Sequence, residues 1–270
     1  MIKKFLFAII ALLLTTCVFA QDKQARFKSG EKLTYVVSYI AKLIPNIDVA
    51  EVTLSVEDSE FGGQSTQKIT ALAGVLPFFS WFFDMHDRYD TWIDPITLQP
   101  IHASCDISEG NYKFMSRIDF DWDSLRVKTT YRNLKYKKDK GKDMAIKADS
   151  RDALSLYYNL RSEDIENFKI AENRHLSLVM EDTVRRIDYK YLGRETKRVK
   201  GWGKMKTLKF SCRLVTSSGE SFEDGTELFL WISDDENRVP LFVESPIRVG
   251  SVRVRLKNYE NLKYPFVSKL

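Results

Sequence analysis

Three histidines, His86, His102 and His175, are the side chains of this sequence best suited to proton transfer or metal ligation. None lies in a His-x-x-x-His spacing or beside a second ligand type in register, so each reads as an ordinary strand residue. Asp119-Phe120-Asp121-Trp122-Asp123 has acids at alternate positions, as a calcium loop begins. Its sixth position is Ser124 where glycine is needed and its twelfth is Thr130 where a bidentate glutamate is needed, so strand alternation explains it better. No Gly-x-Ser-x-Gly elbow occurs, and Gly201-Trp202-Gly203-Lys204 reads as a turn or bulge because it lacks the spacing of a phosphate-cradling loop. With 37 acidic residues some carboxylate pair suited to glycoside hydrolysis can always be proposed, which gives that proposal little weight. The residue types point to no cofactor, no metal and no catalytic group, and a hydrolase stays as an alternative.

Two features remain that carry binding or redox chemistry. The run Val75-Leu76-Pro77-Phe78-Phe79-Ser80-Trp81-Phe82-Phe83 is apolar on every side and shows no strand alternation, so it reads as a short buried helix or an aromatic loop. Phe78, Phe79, Trp81, Phe82 and Phe83, with Trp92, are the candidate ligand-binding residues. They either plug one end of a curved sheet or line a cavity for an apolar ligand, and both readings bury them. The cysteines Cys105 and Cys212 fall on the apolar faces of their strands, where they either pair inside the core or stay as separate buried thiols.

The first twenty residues set the compartment. Lys3 and Lys4 precede an apolar run from Phe5 to Leu14, and Val18-Phe19-Ala20 fits a cleavage site, so residues 1–20 read as a signal peptide and the mature chain begins at Gln21. The expected destination is the periplasm. Leu14-Thr15-Thr16-Cys17 offers the competing reading of a lipid-anchored envelope protein, although bulky Thr16 and the Val18-Phe19 that follows argue against it. No later stretch approaches the ~20 apolar residues of a membrane helix, so no span is expected in the mature chain. Removing Lys3 and Lys4 lowers the formal charge from +5 to +3, which does not announce nucleic acid. Residues 126–142 and 185–209 are basic, whereas 84–94 and 220–236 are acidic.

The elements that position these residues are mostly strands. Asp90 to Ile101 and Trp231 to Leu241 echo one another: each strand ends in Trp-Ile, Asp follows, and Pro100 or Pro240 opens the return strand. Alternation runs through Leu33 to Ala41 and Val49 to Val56 with a turn at Pro45-Asn46, and Gly62-Gly63 leads into Gln67 to Ala73. Met85 to Ile93, Pro100 to Ile107, Tyr112 to Trp122 and Leu125 to Leu134 follow. Lys135 to Asp149 reads as a loop, and Ser150 or Asp149 as the N-cap of one helix over Arg151 to Arg161. Strands resume at Arg174 to Met180, Val184 to Leu192, Met205 to Val215, Glu227 to Ile232, Val239 to Glu244 and Ser251 to Leu256, with a polar loop at Thr216 to Gly225. No Ser, Gly or Pro-rich linker divides residues 21–270, so a single domain is expected. The fold class is mainly β, a large curved antiparallel sheet or incomplete β-barrel of about a dozen strands with one packed α-helix.

In this order the chain resembles the exported bacterial family called domain of unknown function 3108. The residues that carry the resemblance are Phe27 with Gly30-Glu31-Lys32-Leu33-Thr34-Tyr35, then Asp90, Asp94 and Pro100, then Asp152-Ala153-Leu154-Ser155 with Tyr158 and Leu160-Arg161. Tyr191, Gly193 and Glu195 continue it, and Trp231-Ile232-Ser233-Asp234-Asp235 with Arg238 and Pro240 completes it. Pro45-Asn46-Ile47-Asp48 departs from the glycine-containing turn the family implies. The first Trp-Ile hairpin is also similar to hairpins of the LolA and LolB lipoprotein carriers, whose half-open barrel holds acyl chains. These resemblances imply a fold and no activity. The expected function is a non-enzymatic binding or carrier protein for an apolar, lipid-like ligand, with a cavity of roughly 300 Å3 or more. The alternative is an envelope module that meets a protein or glycan through an exposed aromatic patch rimmed by charge, with Arg194, Lys197 and Arg198 as a basic surface.

Overall fold

Alternating apolar and polar residues carry the chain into fifteen strands of one sheet. The structure, a computed structural model, describes residues 24–41, 44–133, 138–214, 227–247 and 250–270. The expected signal peptide with Cys17 and the polar loop Thr216 to Gly225 lie outside the described residues. The strands are β1 Lys32–Ala41, β2 Ile44–Phe61, β3 Gln64–Val75, β4 His86–Ile93, β5 Pro100–Glu109, β6 Tyr112–Asp121, β7 Arg126–Asn133 and β8 Lys140–Ala145. After these come β9 Ser150–Arg151, β10 Arg174–Val179, β11 Val184–Val199, β12 Gly203–Leu214, β13 Glu227–Ser233, β14 Pro240–Pro246 and β15 Ser251–Glu260. Between β9 and β10 lies the helix α1, Ala153–Arg161.

Successive strands are neighbours almost throughout, and the sheet runs from β8 back to β1, crosses to β15 and runs back to β9. Every pair is antiparallel except β9 with β10. The sheet curls until its two ends meet, but no ladder closes it. Instead the Thr129 hydroxyl donates to the Glu181 carbonyl, and Lys142 Nζ donates to the Asp182 carbonyl at 2.7 Å. Beneath these bonds Val127 and Ile146 pack on Val179, so the seam between β7, β8 and the β10–β11 turn is joined by side chains.

Local chemistry sets the connections. Gly62 and Gly63 both take positive φ, at +61° and +79°, which is what a two-residue hairpin turn twisted with its strands requires. The Trp-Ile echo is a matter of backbone as well as wording. In the first hairpin Leu98 has φ +58° and in the second Arg238 has φ +48°, each two residues before the proline that opens the return strand. Both ladders shift register at the Trp-Ile step.

Three expectations about elements are corrected. The strand β2 begins at Ile44, so Pro45 and Asn46 lie in a strand and not at its turn. Residues 140–145 form β8, an edge strand whose lysines hide it from a hydrophobicity reading while discouraging pairing with another chain. The helix cap is Asp152, because Ser150 and Arg151 are held extended by pairing with Ser177 and Leu178. One oxygen of the Asp152 carboxylate accepts from the Leu154 and Ser155 amides at 3.0 and 3.3 Å and from the Thr91 hydroxyl at 2.7 Å, while Ser155 completes a capping box.

The helix is buried on most sides, which a nine-residue element achieves only inside a curved sheet. Leu156 joins Leu176, Tyr191, Leu208, Phe210 and Ile232; Tyr158 joins Phe27, Val56, Ile69, Ile93 and Leu98; Leu154 and Tyr157 pack against both that group and the Leu33, Leu54, Leu241 and Leu256 core. Among the described residues no helix is long and apolar enough to cross a membrane.

Of the two readings of the cysteines, the structure has the separate thiols and not the disulfide. Cys105 and Cys212 are both free, because β5 and β12 have seven strands between them in the sheet order. Cys105 instead meets the Ser116 hydroxyl at 3.1 Å, and burial pushes the Cys212 thiol up to about 12. Electrophoretic mobility is therefore expected to be identical with and without reductant, with Cys212 modified by a thiol reagent only after denaturation. The cap yields a second expectation: Asp152→Ala, which removes a buried acceptor of several donors, should cost about 2 kcal/mol in denaturant unfolding, and Asp152→Asn much less.

Candidate functional site

Among the described residues the most deeply buried charged residues are Glu31 and Arg161, whose side chains are 0% and 1% exposed. Arg161, the last residue of α1, forks onto both Glu31 oxygens at 2.6 and 3.0 Å. Its remaining donors reach the Asn237 carbonyl at 3.1 and 3.3 Å and the Arg26 carbonyl at 3.4 Å. The guanidinium also lies near the rings of Phe27, Tyr157 and Tyr158. Burial, and the neighbouring Tyr157 hydroxyl 2.8 Å away, raise Tyr35 well above its ordinary value. Burial likewise raises Tyr157 and Tyr158, and Glu31 more than offsets the burial of Arg161, so its pKa goes up. The shifts of Tyr35, Tyr157, Tyr158 and Arg161 all run away from neutral pH. The cluster is a structural bolt from the N-terminal segment through α1 to the β13–β14 loop.

Beside the bolt is a void of about 50 Å3 walled by Leu160, Phe168, Phe210, Leu230 and Ile232. It has room for water and not for an acyl chain. The expected apolar cavity of 300 Å3 at the aromatic run is not what borders that run.

The aromatic run itself lies outdoors, which corrects the expectation that it is buried. After Leu76 donates its amide to the Val49 carbonyl at 2.9 Å, two successive turns fold residues 77–83 into a compact loop held by Phe79 to Leu76 and by Phe82 and Phe83 to Phe79. The loop is pinned at its far end by Gly110 donating to the Asp84 carbonyl at 2.7 Å. These turns send the rings away from the sheet: Phe78 is 77% exposed, Trp81 88%, Phe82 75% and Phe83 46%, with Phe79 half-buried under Phe78. At its base an open groove of about 480 Å3 is lined by Thr53, Leu72, Val75, Leu76, Pro77 and Lys257, among others. Pro77 and Ser80, whose hydroxyl donates to the Pro77 carbonyl, are the signal that the run is a turn; nothing local tells that no element covers it.

The other predicted residues do not join this loop. Trp92 lies on β4 six residues beyond its first residue, His86, about 20 Å by strand rise, where it packs on Phe61 and His102 under Lys68. His86 pairs with Asp84 at 2.9 Å, His102 stacks on Phe61 and bonds Asp119 at 2.6 Å, and His175 stands on β10. Among the described residues no group of three or more His, Cys, Asp or Glu side chains could hold a metal ion. Asp121 accepts from the Ser124 amide, a turn contact that accounts for the alternating acids. Of the three basic residues, Arg194 is paired with Asp234 and Glu166, both at 3.1 Å, whereas Lys197 lies over Trp231 and Phe242.

A family model described as a protein of unknown function (DUF3108) matches residues 34–257. No curated protein matches the chain. Among solved structures, the crystal structure of a β-barrel-like protein of domain of unknown function DUF1849 from Brucella abortus matches with a TM-score of 0.57 at 10% identity, covering 88% of this chain and 99% of that one. The likeness is one of fold. The resemblance to the lipoprotein carriers is left unconfirmed by these relatives. Many of the residues by which this chain resembles its family, among them Glu31, Asp152, Ser155, Tyr158 and Arg161, belong to the bolt and the cap, and none belongs to the aromatic loop.

The bolt predicts a specific pattern in unfolding experiments. Arg161→Met and Glu31→Gln should each cost about 3–5 kcal/mol, since each strands a buried charge or its donors. The double replacement Glu31→Met with Arg161→Met should be less costly than either, and the opposite order would show that the pair is net stabilising.

Proposed function

For this chain, which belongs to the DUF3108 family, we propose a non-enzymatic, exported binding module that docks on a lipid-like, amphipathic surface through the loop of residues 77–83. The observation that carries this reading is the exposure of Phe78, Trp81 and Phe82 side by side on a loop whose two ends are fixed. Exposed apolar surface of this kind is costly to leave in water and marks a place where something apolar is met. Trp and Phe together suit the boundary between headgroups and acyl chains, where one edge of a ring stays wet. The void beside α1 is too small for an acyl chain, which favours meeting the ligand at the surface over enclosing it there.

A second reading has its own observation. Asp84, His86, Glu51 and Lys257 rim the aromatic rings with both signs of charge, as at the edge of a protein or glycan contact. Both readings use the same loop and differ in what covers it.

Co-sedimentation with vesicles of phosphatidylethanolamine and phosphatidylglycerol separates them. The mature chain is expected in the pellet, Trp81→Ser with Phe82→Ser to bind at least roughly tenfold more weakly, and Trp92→Phe to bind as the parent does. A parent chain that stays in the supernatant would overturn the lipid reading and favour the protein or glycan contact.

A further inference from the structure

A second groove, of about 270 Å3, opens where the ends of β1, β2, β11, β14 and β15 come together. Its walls carry Lys197, Arg198, Lys200, Arg253 and Arg255 against one carboxylate, Glu244. Asp48 stands behind the wall, so five cations face two anions and three positive charges are in surplus. The anions are already engaged: Glu244 receives Arg253 at 2.6 Å, and Asp48 receives Arg255 and the Ser38 hydroxyl at 2.6 Å each and lies 3.8 Å from Lys200. Burial alone would raise Asp48, but Ser38 and Arg255 outweigh it and hold the carboxyl below its ordinary value, so it stays ionised.

Lys197 is the residue that asks for an anion. Its ammonium rests 3.5 Å from the centre of the Trp231 ring and 4.6 Å from that of Phe242, and among the described residues neither it nor Arg198 has a carboxylate within 4.0 Å. Burial lowers its pKa, and Glu244 and Glu195 beyond contact distance offset that only in part. Aromatic faces hold a cation in place and neutralise only part of it.

We propose that this groove is an anion-binding site that takes a phosphate group bearing a small organic substituent. Phosphate matches it in kind, since several oxygens and up to two negative charges meet guanidinium forks and an ammonium arriving from different strands. The volume exceeds what a bare phosphate fills and accommodates a glycerol-sized ester. The same chemistry is offered by a lipid headgroup and by a free phosphate ester. The groove shares β2 and β15 with the one at the foot of the aromatic loop, where Lys257 continues the row begun by Arg253 and Arg255. The site stands on its own cations and does not depend on what the loop binds.

The test is titration of the mature chain with glycerol 1-phosphate, followed by tryptophan fluorescence, because an anion drawn to Lys197 perturbs the ring directly beneath it. The expected result is a saturable change, weakened by salt, that is lost in Trp231→Phe and shifted roughly tenfold to weaker binding in Lys197→Met and in Arg198→Gln. Melting temperatures of these variants serve as the check on folding, and exposed Arg198 covers the case in which Lys197→Met unfolds the chain. Phosphatidylglycerol vesicles form the second arm: tighter, Lys197-dependent binding there identifies a lipid headgroup as the source, and binding of the free ester alone identifies a soluble one. Trp81→Ser with Phe82→Ser should leave the ester titration unchanged, so failure of the loop reading leaves this site standing. A chain that responds to neither probe, or whose response is the same in Lys197→Met and Arg198→Gln as in the parent, overturns the proposal.

Discussion

A nine-residue helix has little stability of its own, and the whole interior is arranged around one. What holds α1 in place is the ion pair between Arg161 at its end and Glu31 before β1. Taking both charges out of water is costly, and the attraction between them offsets that cost only because the geometry is bidentate and the spare donors find the Asn237 and Arg26 carbonyls. The return is positional. Residues 130 apart in sequence are fixed to one another; at that end Arg161 also holds the Asn237 carbonyl between β13 and β14, and at the other end the Asp152 carboxylate is bonded to Thr91 of β4, so the helix is tied to both halves of the sheet. The apolar groups around Phe27, Leu33 and Leu176 pack against the helix so held.

This arrangement separates the residues that make the fold from those available for binding. Family resemblance falls largely on the bolt, the cap and the two Trp-Ile turns, where Asp94 caps the Ile96 and Thr97 amides and Asp235 gathers Ser233, Asn237 and Ser268. Those contacts give each of these residues a structural role. The aromatic loop lies away from them, while the basic groove borders them only where Lys197 rests on the Trp231 ring.

Much of the architecture was legible because the signals are local. Period-two alternation located most strands, Gly62-Gly63 announced its turn by needing two positive φ values, and proline marked both return strands. The misses have local causes as well. The strand β8 is Lys-Gly-Lys-Asp-Met-Ala, an edge with almost no apolar signature, and β9 is two residues long and defined by its parallel partner alone. The aromatic run was legible as a feature and misplaced as to side, since apolarity tells that a segment avoids water and not which neighbour it meets. The basic groove was half legible: Lys197 and Arg198 stand together in sequence, but Arg253 and Arg255 reach them only through the pairing of β15 with β14 and β1, which no short window encodes.

The unclosed seam has a mechanical meaning. In a barrel whose ladder is complete, strand number and shear fix the girth, and any change of circumference must break backbone hydrogen bonds. Here the two margins are stitched by the Thr129 hydroxyl and the Lys142 ammonium to carbonyls of a turn, over a pad formed by Val127, Ile146 and Val179. Such stitches let the margins slide or part without loss of a single ladder bond. The sheet is a sleeve with a lapped edge, stiff along its strands and compliant around its circumference.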